Sequence, residues 1–267
     1  MDTLSYYKSQ SPFTDPGSYQ DQYDCLPKTA PEICAVVQGL MLDYRERYKY
    51  PIVNERLLCM HARTASAVIE HLLGWNKDPL AQERPMPDRF LAATSDYANL
   101  FVSMARSVGI PARKRVGFVN GESFDQAEYF DGEWKLMDVS GLAQGEFVSA
   151  AQVWQDCRSG KADPEQFTSA TDKGMPLVLA NLMLDIAAMN KQELLTWDRF
   201  SWSLRPLDEF SSRALNTLDK AAELLLAGEE GLEELQELYD QEEGLQVPGA
   251  VRCNPPLTPP HKAQVPV

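Results

Sequence analysis

Histidine is the scarcest chemical resource in this chain: three among 267 residues, at 61, 71 and 261, with none between His71 and His261. The middle of the sequence therefore supplies no imidazole of its own. Cysteine is also sparse and unpatterned. Cys25, Cys34, Cys59, Cys157 and Cys253 are odd in number and show no CxxC spacing, which argues against a disulfide framework or a structural zinc site. Positive charge is short as well, with 25 Lys and Arg against 39 Asp and Glu, a net charge of −14. Such a balance repels phosphate backbones and anionic lipid, so nucleic acid and membrane surfaces are not expected partners. No apolar run reaches the length of a membrane span, and the polar start "MDTLSYYKSQSPFTDPGSYQ" does not read as a signal segment, so a cytoplasmic location is expected.

What is present is an ordinary globular composition, 44% hydrophobic and 24% charged, enough to bury a sizeable core. Residues 1–28 carry Pro12, Pro16, Gly17 and Pro27 and read as an extended N-terminal arm. A helix is expected from Thr29, where Thr29 and Glu32 have capping-box spacing and Pro31 suits the first turn. Its apolar face runs Ile33, Val36, Val37, Leu40, Met41 and Tyr44. A second helix is expected over 54–73, followed by the proline-broken polar loop "NKDPLAQERPMPDR".

The best-punctuated segment is "RFLAATSDYANLFVSMARSVGIPAR", residues 89–113. Ala98, Phe101, Met104, Ala105 and Val108 share one helical face, Gly109 supplies a left-handed cap, and Ile110-Pro111 forbids continuation. "ARKRVGFV" then reads as a strand, "NGES" as a turn, and "QAEYF", Asp131-Gly132 and "EWKLMD" as a hairpin. Beyond Ser140 the pattern returns to helix: a short capped one at "SAAQVWQDCRSG", one apolar nearly all round at "MPLVLANLMLDIAAMN", and two more near 208–226 and 229–240. The last has an acidic, solvated face, with Leu232, Leu235 and Leu238 expected to dock on the body. The expected organisation is an arm (1–28), a core (29–140), a C-terminal helical layer (141–244) and a proline-rich extended tail (245–267).

The order "SDYANLFVSMARSVGIPAR … AEYFDGEWKLMDVS" resembles the core of the transglutaminase-like family, relatives of the papain-like cysteine peptidases. The positions that carry it include Leu100, Phe101, Arg106, the run Gly109–Arg113, Glu128, Gly132, Trp134 and Asp138. The resemblance implies an α+β fold in which a helix packs on a small antiparallel sheet. It also implies a thiol at the helix N-terminus, an imidazole on the neighbouring strand and an Asp that orients it, the arrangement for thioester chemistry. Counting back from Ala98 puts Thr94 at the family's Cys position. Counting back from Glu128 puts Phe124 at the His position, or Asp125 or Gln126 if the loop carries a gap. Only Asp138 matches the third member. Loss of a triad member costs about four to six orders of magnitude in rate, so thiol transglutaminase or peptidase chemistry is not expected here.

Each candidate has a structural reading beside the functional one. Thr94 or Ser95 suits a helix N-cap, Asp138 suits the end of a strand, and Asp96 suits the positive end of a helix dipole. The functional grouping gathers Thr94, Asp125 and Asp138 as protic groups, with Ser95, Tyr97, Phe124 and Trp134 as binding residues around the cleft. No metal and no cofactor is expected. Two functions follow: a scaffold that binds a small molecule, a peptide or a partner protein, or a repurposed enzyme of a specialised biosynthetic pathway acting on an acyl or amide substrate.

Overall fold

Helix α1, Thr3–Lys8, opens the chain, with the Asp2 carboxylate accepting the Ser5 backbone N–H at 3.0 Å. The computed structural model describes residues 2–266, an α+β arrangement that divides into two units. The first comprises the chain up to Lys114 with Gln126–Leu142 and Pro266; the second comprises Arg115–Asp125 and Ala143–Val265. No helix among the described residues is long and apolar enough to cross a membrane.

In the first unit the expected extended arm is instead folded. After α1 a 3-10 segment spans Gly17–Tyr23, and Tyr7, Phe13 and Tyr23 are buried. A polar network holds this segment in place: Ser103 Oγ donates to Thr14 O at 2.5 Å, and Arg106 Nη1 donates to Thr14 Oγ1 at 3.0 Å. Prolines suggested extension, but three buried aromatics outweigh them, each worth a few kcal/mol of burial.

Helix α2, Ala30–Leu40, stops earlier than its apolar periodicity suggests, because Met41–Asp43 extends as strand β1. The Thr29 hydroxyl engages the Glu32 carboxylate at 2.5 Å rather than a backbone N–H. The expected helix over 54–73 is also revised. Asn54–His61 is 3-10, and helix α3, Ala65–Trp75, starts afresh where Thr64 Oγ1 caps the Ala67 N–H at 3.2 Å. Strand β2, Phe90–Ala92, pairs in parallel with β1 and leads into helix α4, Thr94–Ser107. That helix ends as the sequence predicts: Gly109 has φ of 87°, and the Ile110 N–H reaches back to Ala105 O at 2.9 Å.

Strands β3, Ala112–Val119, β4, Glu122–Phe130, and β5, Trp134–Met137, follow in the expected order. Asn120 and Gly121 both have positive φ, as a tight two-residue hairpin turn requires. The chain crosses to the second unit within β3 and returns within β4. The β4–β5 ladder, from Ala127↔Met137 to Phe130↔Trp134, lies in the first unit. There α4 packs on the sheet through an edge contact of Phe101 with Tyr129, ring centroids 6.2 Å apart.

In the second unit β3 pairs with strand β6, Phe147–Ser149, giving the sheet order β5-β4-β3-β6. Ser149 caps helix α5, Ala150–Arg158. Helix α6, Gly174–Met189, is buried almost all round, and its polar groups are satisfied. The Asp185 carboxylate accepts both Arg115 Nε and Nη2 at 3.1 Å and the Val116 N–H at 2.8 Å. Asn181 Nδ2 donates to Gly117 O at 3.2 Å. Strand β7, Asp198–Arg199, precedes helices α7, Ser212–Leu226, and α8, Leu232–Gln241, which buries Leu232 and Leu235 and exposes its acids. The tail expected to be merely extended forms a hairpin, strands β8, Ala250–Cys253, and β9, His261–Gln264, on a sheet of order β7-β8-β9.

Candidate functional site

The first turn of α4 is assembled by the parallel strand pair. Register aligns Asp43 at the end of β1 with Ala92 at the end of β2, so both strands stop beside the helix start. Ala93, extended at φ −99° and ψ 175°, is the cap residue. Its N–H is accepted by the Asp96 carboxylate at 2.7 Å. This corrects the N-cap reading of Thr94 and Ser95: both lie inside the first turn, because Asp96 reaching back to residue 93 sets the boundary one residue earlier. Thr94, Ser95, Asp96 and Tyr97 are all buried. Ser95 Oγ finds no hydrogen-bond partner among the described residues.

Burial raises the Tyr97 phenol above its ordinary value; Asp43 adds to the rise and Arg89 opposes it. The ring thus presents a protonated hydroxyl at any physiological pH. Asp43 is buried and held by Arg45, whose Nε and Nη2 donate to its two carboxylate oxygens at 3.0 and 2.7 Å. Sequence reading missed Asp43, because residues 41–44 continue the apolar rhythm of a helix and nothing local marks a strand there.

Two thiols lie in this unit near the expected site residues. Cys59 Sγ donates to Leu91 O of β2 at 3.9 Å, and burial pushes its pKa up to about 12. Cys34 Sγ donates to Val139 O at 3.8 Å; burial, with the Asp138 charge adding, pushes its pKa up to about 11. At neutral pH both are thiols, and it is the thiolate that attacks a carbonyl.

Asp138 follows β5 and turns into its own loop. Its Oδ1 accepts the Ser140 N–H at 3.0 Å, the Ser140 hydroxyl at 2.6 Å and the Gly141 N–H at 3.1 Å. From α2, Gln38 Nε2 donates to the adjoining Val139 O at 3.0 Å. Trp134 belongs to a different cluster. Its ring meets Tyr7 of α1 edge-on at 5.6 Å, and the Arg113 guanidinium lies 4.0 Å from its centroid. Arg113 is held in turn by Glu128, with Nε 2.6 Å from the carboxylate. Thr94, Ser95, Tyr97, Trp134 and Asp138 fall in the first unit; Phe124 and Asp125 lie on the stretch of β4 assigned to the second, where both are buried.

Chemically, the start of α4 offers hydroxyls on Thr94 and Ser95 and the phenol of Tyr97, beside the buried Asp43. Residues 87–158, running from the approach to β2 through α5, match the family model of the transglutaminase-like superfamily. No curated protein matches the chain, and no solved structure does.

Proposed function

We propose that this chain uses a transglutaminase-like core as a binding scaffold, without thiol acyl transfer, and that its ligand is a small molecule, a peptide or a partner protein. The observation that carries the reading is that a hydroxyl residue, Thr94, stands in the first turn of α4, while the Asp138 Oδ1 accepts hydrogen bonds from Ser140 and Gly141. A hydroxyl needs a base to become a nucleophile, and residues 72–260 contain no histidine. The raised pKa values of Cys34 and Cys59 also speak against a displaced thiol taking over. Five free thiols suit a reducing compartment such as the cytoplasm, and the net charge of −14 disfavours nucleic acid as the ligand.

The test pairs an activity assay with a binding assay on the purified chain. A glutamine-containing peptide and a labelled primary amine serve as acyl donor and acceptor, and a thermal-shift screen over metabolites and peptides serves for binding. No incorporation of the amine, together with a ligand whose shift is altered by Thr94→Ala or Tyr97→Phe, is the expected outcome. Amine incorporation would overturn the reading: abolished by alkylation of the thiols it would show thiol acyl transfer, and surviving alkylation it would show an enzyme of another kind.

One observation favours a second reading, a repurposed enzyme with Thr94, Asp125 and Asp138 as its protic groups. The Ser95 hydroxyl is fully buried and makes no hydrogen bond among the described residues, and an unspent buried polar group often marks a functional position. A captured small molecule recovered chemically changed from the wild type, but unchanged from Asp125→Asn, would favour this reading.

A further inference from the structure

Cys253 and His261 stand directly opposite one another on the antiparallel ladder of β8 and β9. Opposed residues of such a ladder put their side chains on the same face, and the Cys253 Sγ and a ring nitrogen of His261 lie within 4.8 Å of each other. The face is the inner one: Val251 and Cys253 are buried, whereas Arg252 and Lys262, paired on the other face, are exposed. β8 is the central strand of its sheet. Cys253 is therefore held by a ladder on each side, against Asp198 of β7 and His261 of β9.

The imidazole is set for ligation. His261 Nδ1 lies 3.3 Å from Pro259 O. A carbonyl oxygen only accepts, so in the neutral ring Nδ1 carries the proton and Nε2 keeps its lone pair. A ring N–H engaged by a backbone carbonyl is the arrangement that orients metal-ligating histidines. Pro259 and Pro260 immediately precede the histidine, and their fixed φ angles stiffen the segment that holds it. Cys253 is in no disulfide among the described residues, which leaves its sulfur available as a thiolate donor.

The donor set selects the class of ion. Thiolate with imidazole is a soft to borderline pair that suits Zn(II) and Cu(I), whereas Mg(II) and Ca(II) demand oxygen. Bonds of about 2.3 Å to sulfur and about 2.0 Å to nitrogen let one ion touch both atoms at separations up to about 4.3 Å. The pair reaches that with at most a small side-chain rotation. The sequence gave no warning of this pair, because a hairpin joins the two residues and no CxxC spacing marks them.

We infer that Cys253 and His261 are two ligands of a site for a thiophilic d10 cation, Zn(II) or Cu(I). Binding releases the thiol proton to solvent. The site belongs to the second unit and does not rest on the reading of α4.

The full chain, stripped of metal under reducing conditions, is titrated with Zn(II) and, without air, with Cu(I), each against a chromophoric chelator. One equivalent of either ion is expected to bind, and X-ray absorption of the bound ion should show a sulfur and at least one imidazole nitrogen. His261→Gln, at a half-buried position, should weaken binding about tenfold or more and remove the nitrogen signature with unchanged circular dichroism. Cys253→Ser should remove the sulfur neighbour, and Cys25→Ser, at an exposed thiol, should change nothing. If the serine at the buried position 253 prevents folding, His261→Gln alone decides. The proposal is overturned if neither ion binds, if His261→Gln binds as well as the parent, or if Cys25→Ser abolishes binding.

Discussion

Asp138 and Ser140 are joined twice, the carboxylate Oδ1 accepting both the backbone N–H and the hydroxyl of Ser140, at 3.0 and 2.6 Å. The Gly141 N–H completes the set at 3.1 Å. The carboxylate therefore shapes the turn that follows β5. Asp138→Ala leaves those donors without their acceptor and is expected to lower stability by about 2 kcal/mol. Asp138→Asn keeps one carbonyl oxygen and should lose about half as much. Urea denaturation of both variants measures this; an alanine variant as stable as the parent would show that the turn does not depend on Asp138.

The pairing of β3 with β6 depends on the bareness of Gly117. A Cβ at that position would sit 2.2 Å from Val148 O and 2.6 Å from the Phe147 ring. Gly117→Ala is expected to destabilise by about 3 kcal/mol, with faster amide exchange along β6. Gly74, near the end of α3, has open space where a Cβ would go. Gly74→Ala should stabilise by about 0.5–1 kcal/mol, because alanine is the better helix former. Opposite signs in denaturant midpoint are the result to look for, and equal effects would contradict the packing described for Gly117.

His71 stacks on Trp75 with ring centroids 5.4 Å apart. Burial lowers its pKa from the ordinary 6.5, with Glu70 opposing and Arg56 adding to the fall. The unfolded chain therefore holds the proton more tightly than the folded one. Between the lowered value and 6.5 the unfolded state binds more protons, so stability rises with pH through that window. As pH falls below about 6.5, the His71 contribution is lost. His71→Phe keeps a ring against Trp75 and should flatten the dependence of the urea midpoint between about pH 5 and pH 7. An unchanged slope in the variant would assign the dependence to other groups.

The thiols should separate by reactivity. Cys25 is exposed, whereas the pKa values of Cys34 and Cys59 stand at about 11 and 12. Iodoacetamide at about pH 8 should label Cys25 first and Cys59 about a hundredfold more slowly or less. Mass spectrometry of the digested chain reads the order. Rapid modification of Cys59 would reveal a thiolate beside β2 and remove one support of the binding-scaffold reading.

Much of the fold is legible in the residues. The course and the stop of α4 follow from Ala98 to Val108 on one face and from Gly109, Ile110 and Pro111 behind it, because periodicity and breaker chemistry are local. The hairpin at Asn120-Gly121 is local for the same reason. The site is legible only in part. The helix start is recognisable from "TSDYA", yet the boundary depends on which side chain reaches the Ala93 N–H, and Asp96 does so from within the helix. Asp43 was invisible, since the apolar rhythm of α2 runs on through Met41 without interruption.

By itself the sequence determined the order helix, strand, strand, strand from 94 to 137, whose resemblance to a known core implied the α+β class, the buried helix α6, and the absence of histidine between 71 and 261. These follow from periodicity, turn residues and composition, which act over a few neighbouring positions. Tertiary structure alone decided that residues 41–43 leave their helix to pair with 90–92, that 54–61 winds as 3-10, that the tail doubles back as β8 and β9, and that the Asp138 Oδ1 accepts from its own turn. The parallel pairing joins segments far apart in the chain through backbone hydrogen bonds common to every residue except proline as donor. Such bonds leave no signature in the side-chain pattern, so only the packing of the whole unit selects them.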